Sequence, residues 1–243
     1  MIVKLRRLID RLRYGREAER KRKRAEKEKR RQQKFHSERW YRDERLARRH
    51  YDSYEDYVRH QSAKLERVLH RLKETEAEDF QEFQRRFSLC EPLKPARSVL
   101  CLGARLGTEV KALHSLGYFA VGVDLNPGPE NPYVLPGDFH ALVFADASVD
   151  AVYTNAFDHA FEPERVLAEV VRVLRPGGVF VMDQLAGFQE GFIPGEYESF
   201  HWKDRAALNE LVRHHTGFVL LGERDLGRHR RDRWYQVVFR KPA

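Results

Sequence analysis

The stretch "SVLCLGARLGTEVKALHSLGYFAVGVDLNPG", residues 98–128, constrains the fold more tightly than any other part of the chain. "SVLCLG" is a continuous apolar run of strand length, "GTEVKALHSLG" has helical spacing and closes on Gly117, and "FAVGVDL" is a second apolar run. Strands that are apolar throughout are buried on both faces, the habit of a parallel sheet with helices above and below. Such a sheet holds its ligand at the carboxyl ends of its strands, with the first turn as the floor. Gly103 and Gly107 allow that turn to be sharp and a ligand to approach the backbone without a Cβ in the way. Asp124 ends the second strand about twenty residues on, where a carboxylate accepts hydrogen bonds from both hydroxyls of a ribose. Together these features predict an adenosine-containing cofactor, although the glycines alone would also admit a dinucleotide.

Charge divides the 243 residues unevenly. The formal net charge is +8, but the whole excess of Lys and Arg lies in residues 1–86, and the remainder is slightly acidic. "MIVKLRRLIDRLRYG" places Ile2, Leu5, Leu8, Ile9 and Leu12 at helical spacing among basic residues, a short amphipathic helix suited to an anionic membrane surface or to a partner. Residues 16–34 are almost free of apolar side chains and rich in helix formers. Pairs such as Glu17 with Lys21 sit at i, i+4, and no a/d heptads are present. The segment reads as a solvated helical arm whose charge could track phosphates, with Trp40, Tyr41, Tyr51, Tyr54 and Tyr57 either stacking on bases or packing on the domain. A further helix is predicted from about Ser62 to Phe87, with Leu65, Val68, Leu69 and Leu72 on one stripe and Phe80, Phe83 and Phe87 continuing it.

Beyond Pro92 and Pro95 short apolar runs alternate with helical patterns: "VDAVYTNAF" as a strand, "EPERVLAEVVRVLRPGG" as a helix stopped by Pro176, Gly177 and Gly178, and "VFVMDQ" as a strand. "KDRAALNELVRHH" follows as a helix, with "FVLLGERDL" and "RWYQVVFRK" as strands. The alternation predicts an α/β fold with a mainly parallel sheet covered on both faces. The expected division is a basic helical N-terminal extension over residues 1–61 and a domain over residues 62–243. Two cysteines, Cys90 and Cys101, frame neither a disulfide scaffold nor a metal pattern, and a cytoplasmic location is the simplest expectation, peripheral to a membrane if the first helix binds one. No apolar run reaches the roughly 18 residues of a spanning helix.

"PGDFHALVFADASVDAVYTNAFDHAFEPERVLAEVVRVLRPGGVFVMD", taken with the stretch at 98–128, resembles the central part of class I S-adenosylmethionine-dependent methyltransferases of the type 11 group. The resemblance spans about Ser98 to Asp183 and implies a Rossmann-like, seven-stranded sheet ending in an antiparallel hairpin. It implies S-adenosylmethionine as cofactor, with Gly103, Ala104, Arg105 and Gly107 around its methionine portion and Asp124 on its ribose. Asp138 and Phe139 fall at the edge and face of its adenine, and Asn155 beneath the methyl-bearing sulfur. His159 falls where many relatives have a histidine at the substrate mouth, with Asp158 and His201 as reserves. Each residue also has a structural reading: Asp138 as a turn residue, Asp124 as a turn cap, and His159 as a loop anchor.

Two residues depart from the family pattern. Cys101 stands where an acid commonly helps to hold the cofactor's amino group, and a thiol cannot replace a carboxylate's charge. Arg105 stands where a glycine is usual, either to pair with the cofactor's carboxylate or to be pinned by Glu109 one helical turn later. Retention of Asp124, Asp138 and Asn155 favours a rearranged site over a decayed one. "NAFD" at 155–158 departs from the Asn/Asp-Pro-Pro-aromatic motif of base amino-methylation, and neither cysteine is disposed as a pyrimidine nucleophile. No ligand cluster indicates a catalytic metal. The loop "QLAGFQEGFIPGEYESFHW" supplies Phe188, Phe192, Tyr197, Phe200 and Trp202 for a lid over the acceptor or an anchor on the sheet. The expectation is O-methylation of a small molecule or glycan, with His159 taking the hydroxyl's proton. RNA methylation through the basic arm, or a non-catalytic cofactor-binding module, are the alternatives.

Overall fold

The computed structural model describes the backbone of residues 2–37, 39–230 and 232–243, and the side chains of these except 2–16 and 24. Helix α1 runs from Ile2 to Phe35. The apolar stripe expected from Ile2 to Leu12 falls on side chains outside the described residues. A short hairpin follows, β1 (Trp40–Arg42) and β2 (Leu46–Arg49), then α2 (Tyr54–Ser62) and α3 (Lys64–Ser88). Ser53 caps α2 by accepting the Asp56 N–H at 3.1 Å.

The domain proper begins with β3 (Ser98–Leu102), α4 (Thr108–Ser115), β4 (Phe119–Asp124), β5 (Val134–Pro136) and β6 (Val149–Thr154). It continues with α5 (Pro163–Val173), β7 (Leu174–Leu185), β8 (Phe200–Trp202), α6 (Arg205–Thr216), β9 (Val219–His229) and β10 (Asp232–Arg240). Seven strands form one sheet in the order β5-β4-β3-β6-β7-β10-β9. The pairs from β5 to β7 are parallel, and β10 runs antiparallel to both β7 and β9. This is the Rossmann-like sheet with a final antiparallel hairpin that the resemblance implies.

Alternation along β3 divides the core. Leu100 and Leu102 join Val166, Leu167, Val170, Leu208 and Val212 under α5 and α6, while Val99 and Cys101 join Phe87, Val110 and Leu113 under α3 and α4. A buried network fastens α3 to the sheet: Arg86 Nη1 donates to Asp183 Oδ2 at 3.0 Å and Arg86 Nε to Glu82 at 2.8 Å. Tyr153 and Gln236 also donate to Asp183, at 2.9 and 3.1 Å.

Three features differ from the sequence reading. The helix expected to run to the Pro-Gly-Gly turn stops at Val173, and "LRPGG" opens β7 instead. Pro176 disfavours the α conformation at the residue before it, and Leu174 is already extended with ψ 135°. Secondly, β1, β2 and β8 form a small separate sheet that carries no sequence signal of its own. Thirdly, β5 forms where no strand was expected, and of the two readings of the aromatic loop the anchor holds at its end: Phe200 and Trp202 are buried in the core as β8 pairs with β2. Among the described residues, no helix is long and apolar enough to cross a membrane.

Candidate active site

The carboxyl ends of β3, β4 and β6 converge on the loop after β3. Gly103 and Ala104 donate their N–H groups to the Val123 carbonyl at 2.8 and 3.2 Å, which folds the loop back onto β4. Gly103 has φ 73°, and a Cβ there would lie 2.6 Å from the Ala156 Cβ, so only glycine serves. Gly107, with φ 76°, begins α4 against Tyr133 and Val134, and borders neither of the cavities described below. Asp124 clamps the loop: one carboxylate oxygen accepts the Arg105 N–H at 3.0 Å, and the other accepts the Asn126 N–H at 2.8 Å. A carboxylate offers about four acceptor positions, so capacity for two hydroxyls remains.

Two cavities meet at this loop. The larger, about 650 Å³, is bordered by Gly103, Ala104, Arg105, Glu109, Asn155 and His159, with Phe192 and Trp234 on the far side and Lys27 and Arg31 of α1 at its rim. The smaller, about 40 Å³, lies over Asp124 and Phe139 and shares Gly103, Arg105 and His159 with the first. Its roof is Tyr57 and Gln61 of α2 and Lys64 of α3. The Tyr57 hydroxyl is buried without a hydrogen-bond partner, and burial raises its pKa above the ordinary phenolic value. Asp138 borders neither cavity. It accepts hydrogen bonds from the Tyr54 hydroxyl and the His140 backbone N–H, and its carboxylate pairs with the His140 ring.

His159 is held at both nitrogens. Nδ1 lies 2.7 Å from the Tyr197 carbonyl, which can only accept, so Nδ1 carries the proton. Nε2 therefore accepts from Lys64 Nζ, also at 2.7 Å. Burial, followed by the charges of Lys64 and Arg105, keeps the imidazole well below its ordinary pKa and neutral. Burial and then Arg105 push the Lys64 ammonium down to about 7, while burial and then Glu198 push the Asp158 carboxyl up to about 7. Asp158 Oδ1 lies 3.7 Å from His159 Nε2 and borders the larger cavity. His201 lies apart, in β8, ring-stacked on Trp202 and near Phe192.

Sequence reasoning passed over Tyr57 as a site residue and Lys64 as a proton-holding group, and held Asp158 only as a reserve behind His159. Tyr57 and Lys64 reach the site only because α2 and α3 fold over it, a tertiary fact with no local signature. The ion pair considered between Arg105 and Glu109 is absent among the described residues.

Residues 100–182 match the family described as Methyltransferase domain. That match covers the stretch from β3 to β7, about a third of the chain. Dimethylglycine N-methyltransferase of Parasynechococcus marenigrum is 32% identical over 138 residues, covering 49% of this chain and 49% of that protein. Demethylmenaquinone methyltransferase of Renibacterium salmoninarum is 32% identical over 102 residues, covering 38% and 43%. The chain thus spans between 26% and 49% of the length of these and other leading curated relatives. The 1,6-didemethyltoxoflavin-N1-methyltransferase of Burkholderia thailandensis, solved with 1,6-didemethyltoxoflavin and S-adenosylhomocysteine, superposes with a TM-score of 0.64. Its identity is 17%, over 84% of this chain and 98% of that one. The [4+2]-cyclase SpnF superposes at 0.53 with 15% identity, over 66% and 81%. Such distant likenesses establish the fold, and a cyclase among them shows that the fold alone does not name the reaction.

The family matched over residues 100–182 implies S-adenosylmethionine, and the donor set fits it. Asp124 has acceptor capacity for ribose hydroxyls, Tyr57 brings an unpaired buried hydroxyl to the same pocket, and Gly103 leaves no room for a side chain. The volume over Asp124 does not accommodate a nucleoside in this conformation, because Tyr57, Gln61 and Lys64 rest on it.

Proposed function

We propose that the protein is an S-adenosylmethionine-dependent methyltransferase acting on a small-molecule or glycan hydroxyl. In this reading residues 62–243 form the catalytic domain, and the 1–61 extension contributes a cover through Tyr57 and Gln61. The observation that carries it is Asp124, which fixes the glycine loop through two backbone N–H groups and retains acceptor capacity beneath the unpaired Tyr57 hydroxyl. When bound, S-adenosylmethionine supplies an electrophilic methyl group on a positively charged sulfur.

Asp124 and Tyr57 hold the ribose, Phe139 offers an apolar wall, and Arg105 attracts the carboxylate of the methionine portion. Asn155, with the cavity of about 650 Å³, orients the acceptor. That volume lies within the range of about 300–1,000 Å³ of small-molecule sites. The proton released by a hydroxyl acceptor passes to the cluster of Asp158, His159 and Lys64. His159 has no free ring nitrogen, so Asp158, bordering the cavity with a pKa near 7, is the nearer acceptor and His159 its positioning residue.

The test is transfer of an isotopically labelled methyl group from S-adenosylmethionine to fractionated small-molecule and glycan extracts, with total RNA as a parallel arm and Asp124→Ala as control. Label entering a low-mass product only with intact Asp124 supports the reading. Label entering RNA alone would redirect it to the basic arm, and saturable cofactor binding with no labelled product in any arm would favour a binding module.

A further inference from the structure

Helix α1 has faces of different charge. At about 100° per residue, Arg20, Lys23, Lys27, Arg31 and Lys34 fall within about a quarter of its circumference, and Glu17, Glu19, Glu26 and Glu28 all lie outside that arc. Elsewhere on the helix acids neutralise bases, as Glu17 does Lys21 and Glu26 does Arg30. Within the stripe only Lys23 has an ion pair among the described residues, to Glu19. Lys27 has Lys23, Arg24, Arg30 and Arg31 at its i±3 and i±4 positions, so no acid along the helix can reach it. Like charges at that spacing destabilise a helix, and a bound anion would offset the cost.

The stripe leads to the larger cavity. Lys27 and Arg31 border its mouth from α1, one turn apart, and Arg71 borders it from α3. Among the described residues none of these three side chains makes an ion pair or a hydrogen bond. Arg31 is half-buried against the loop after β7, where a Cβ on Gly195 would lie 2.8 Å from its Nη2 and 2.9 Å from Glu198 Oε2. Of the carboxylates on the same wall, Asp79 is taken up by His229 and Arg230, and Glu82 by Arg85 and Arg86. Glu198 accepts the Gly195 N–H at 2.6 Å, and burial pushes Glu109 up to about 8, which leaves it uncharged at neutral pH. The mouth is therefore cationic, while Phe83, Phe192 and Trp234 supply apolar wall to the space behind it.

A membrane or a nucleic-acid duplex presents its phosphates on a surface too broad to enter a cavity of about 650 Å³. Cations set around such a mouth select a molecule small or slender enough to pass them. A phosphate monoester carries about two negative charges, and guanidinium forks match its oxygens. We infer that the acceptor is a phosphorylated small molecule or glycan, its phosphate held by Lys27, Arg31 and Arg71 at the rim and its hydroxyl inside, beside Asp158. The inference rests on the functional reading above and narrows its acceptor class. It makes the basic helix a determinant of specificity, with the outer part of the stripe drawing anions towards the mouth.

The test is calorimetric titration of the full chain with pyrophosphate at low salt, and of the same preparations with S-adenosylhomocysteine. Wild type is expected to bind pyrophosphate saturably. The double variant Lys27→Gln/Arg31→Gln should bind it about tenfold or more weakly, as loss of charge-assisted hydrogen bonds requires. Arg22→Gln/Lys29→Gln removes the same charge from the opposite face of α1 and should stay within about twofold of wild type. Arg71→Gln tests the rim from α3, and should weaken pyrophosphate binding even if the α1 variants fail to fold. Wild type that binds S-adenosylhomocysteine but not pyrophosphate, or equal losses in the two double variants, overturns this inference and leaves the functional reading standing. Folded wild type that binds neither probe overturns both. In the transfer assay the labelled product should be retained on an anion exchanger and lose that retention after phosphatase treatment; a product neutral from the outset, or label in RNA alone, overturns the inference.

Discussion

Arg105 occupies the left-handed region with φ 44°, a conformation that costs a non-glycine residue about 1–2 kcal/mol. Its guanidinium is also removed from water, which draws its pKa below the ordinary value despite Asp124 and Glu109 nearby. Both costs concern stability, and the return lies in binding. Arg105→Gly should therefore melt no lower than wild type while binding S-adenosylhomocysteine about tenfold or more weakly, measured by calorimetry and thermal unfolding of one preparation. Glu109 poses the same opposition with a pH signature. Burial, with Asp124 adding to it, pushes its carboxyl from the ordinary 4.5 to about 8, against the opposing charge of Arg105. Between those values the folded state binds more protons than the unfolded one, so Glu109 lowers stability as pH rises through that window. Glu109→Gln should match wild type near pH 4 and exceed it above pH 8 by about 1 kcal/mol or more, about 2–4 °C in melting temperature. An equal melting difference at both pH extremes would contradict the buried, ionisable Glu109 described here.

Helix α3 is the element on which the site depends, because it carries Lys64 at one end and the Arg86–Asp183 pair near the other. Arg86→Met keeps most of the packing against Phe83 and Trp234 but leaves Asp183 buried without its countercharge. It should cost about 3–5 kcal/mol in chemical denaturation. The stripe of α3 was readable in the sequence through Phe80, Phe83 and Phe87, as were the glycine loop, Asp124 and every strand of the main sheet except the three-residue β5. Those features follow from local periodicity and turn chemistry. The end of α5 was misread because Pro-Gly-Gly is a stop signal that also starts a strand. The small β1-β2-β8 sheet was missed because its three- and four-residue strands are too short to carry a period. At the site, the bond from Lys64 to His159 joins residues 95 apart in sequence, and no pattern within one helix announces it.

Across the whole molecule, the basic helix and the larger cavity are physically joined. Residues 17–23 and 25–30 of α1 are exposed, with ion pairs from Glu17 to Lys21, Glu19 to Lys23 and Glu26 to Arg30. Farther along, Lys27 and Arg31 reach the rim of the cavity, and Phe35 is buried against Trp40 and Phe188. Of the aromatics that sequence offered for stacking on bases, Trp40 and Tyr57 are buried and Tyr41 is exposed. Deleting residues 1–16 should leave S-adenosylhomocysteine affinity within about twofold of wild type, whereas deletion through Phe35 should lower the melting temperature by about 5 °C or more. Any RNA affinity carried by the arm should survive the shorter deletion, vanish with the deletion through Phe35 and fall steeply with salt.

The central claim is that the loop from Gly103 to Asp124 is a working cofactor site with rearranged charges. Calorimetric titration of S-adenosylhomocysteine into wild type and into Asp124→Ala, both verified as folded, tests it most directly. The account predicts saturable one-to-one binding by wild type and its loss in Asp124→Ala. Heat-silent wild-type protein without ligand-induced thermal stabilisation, or undiminished affinity in Asp124→Ala, would contradict it.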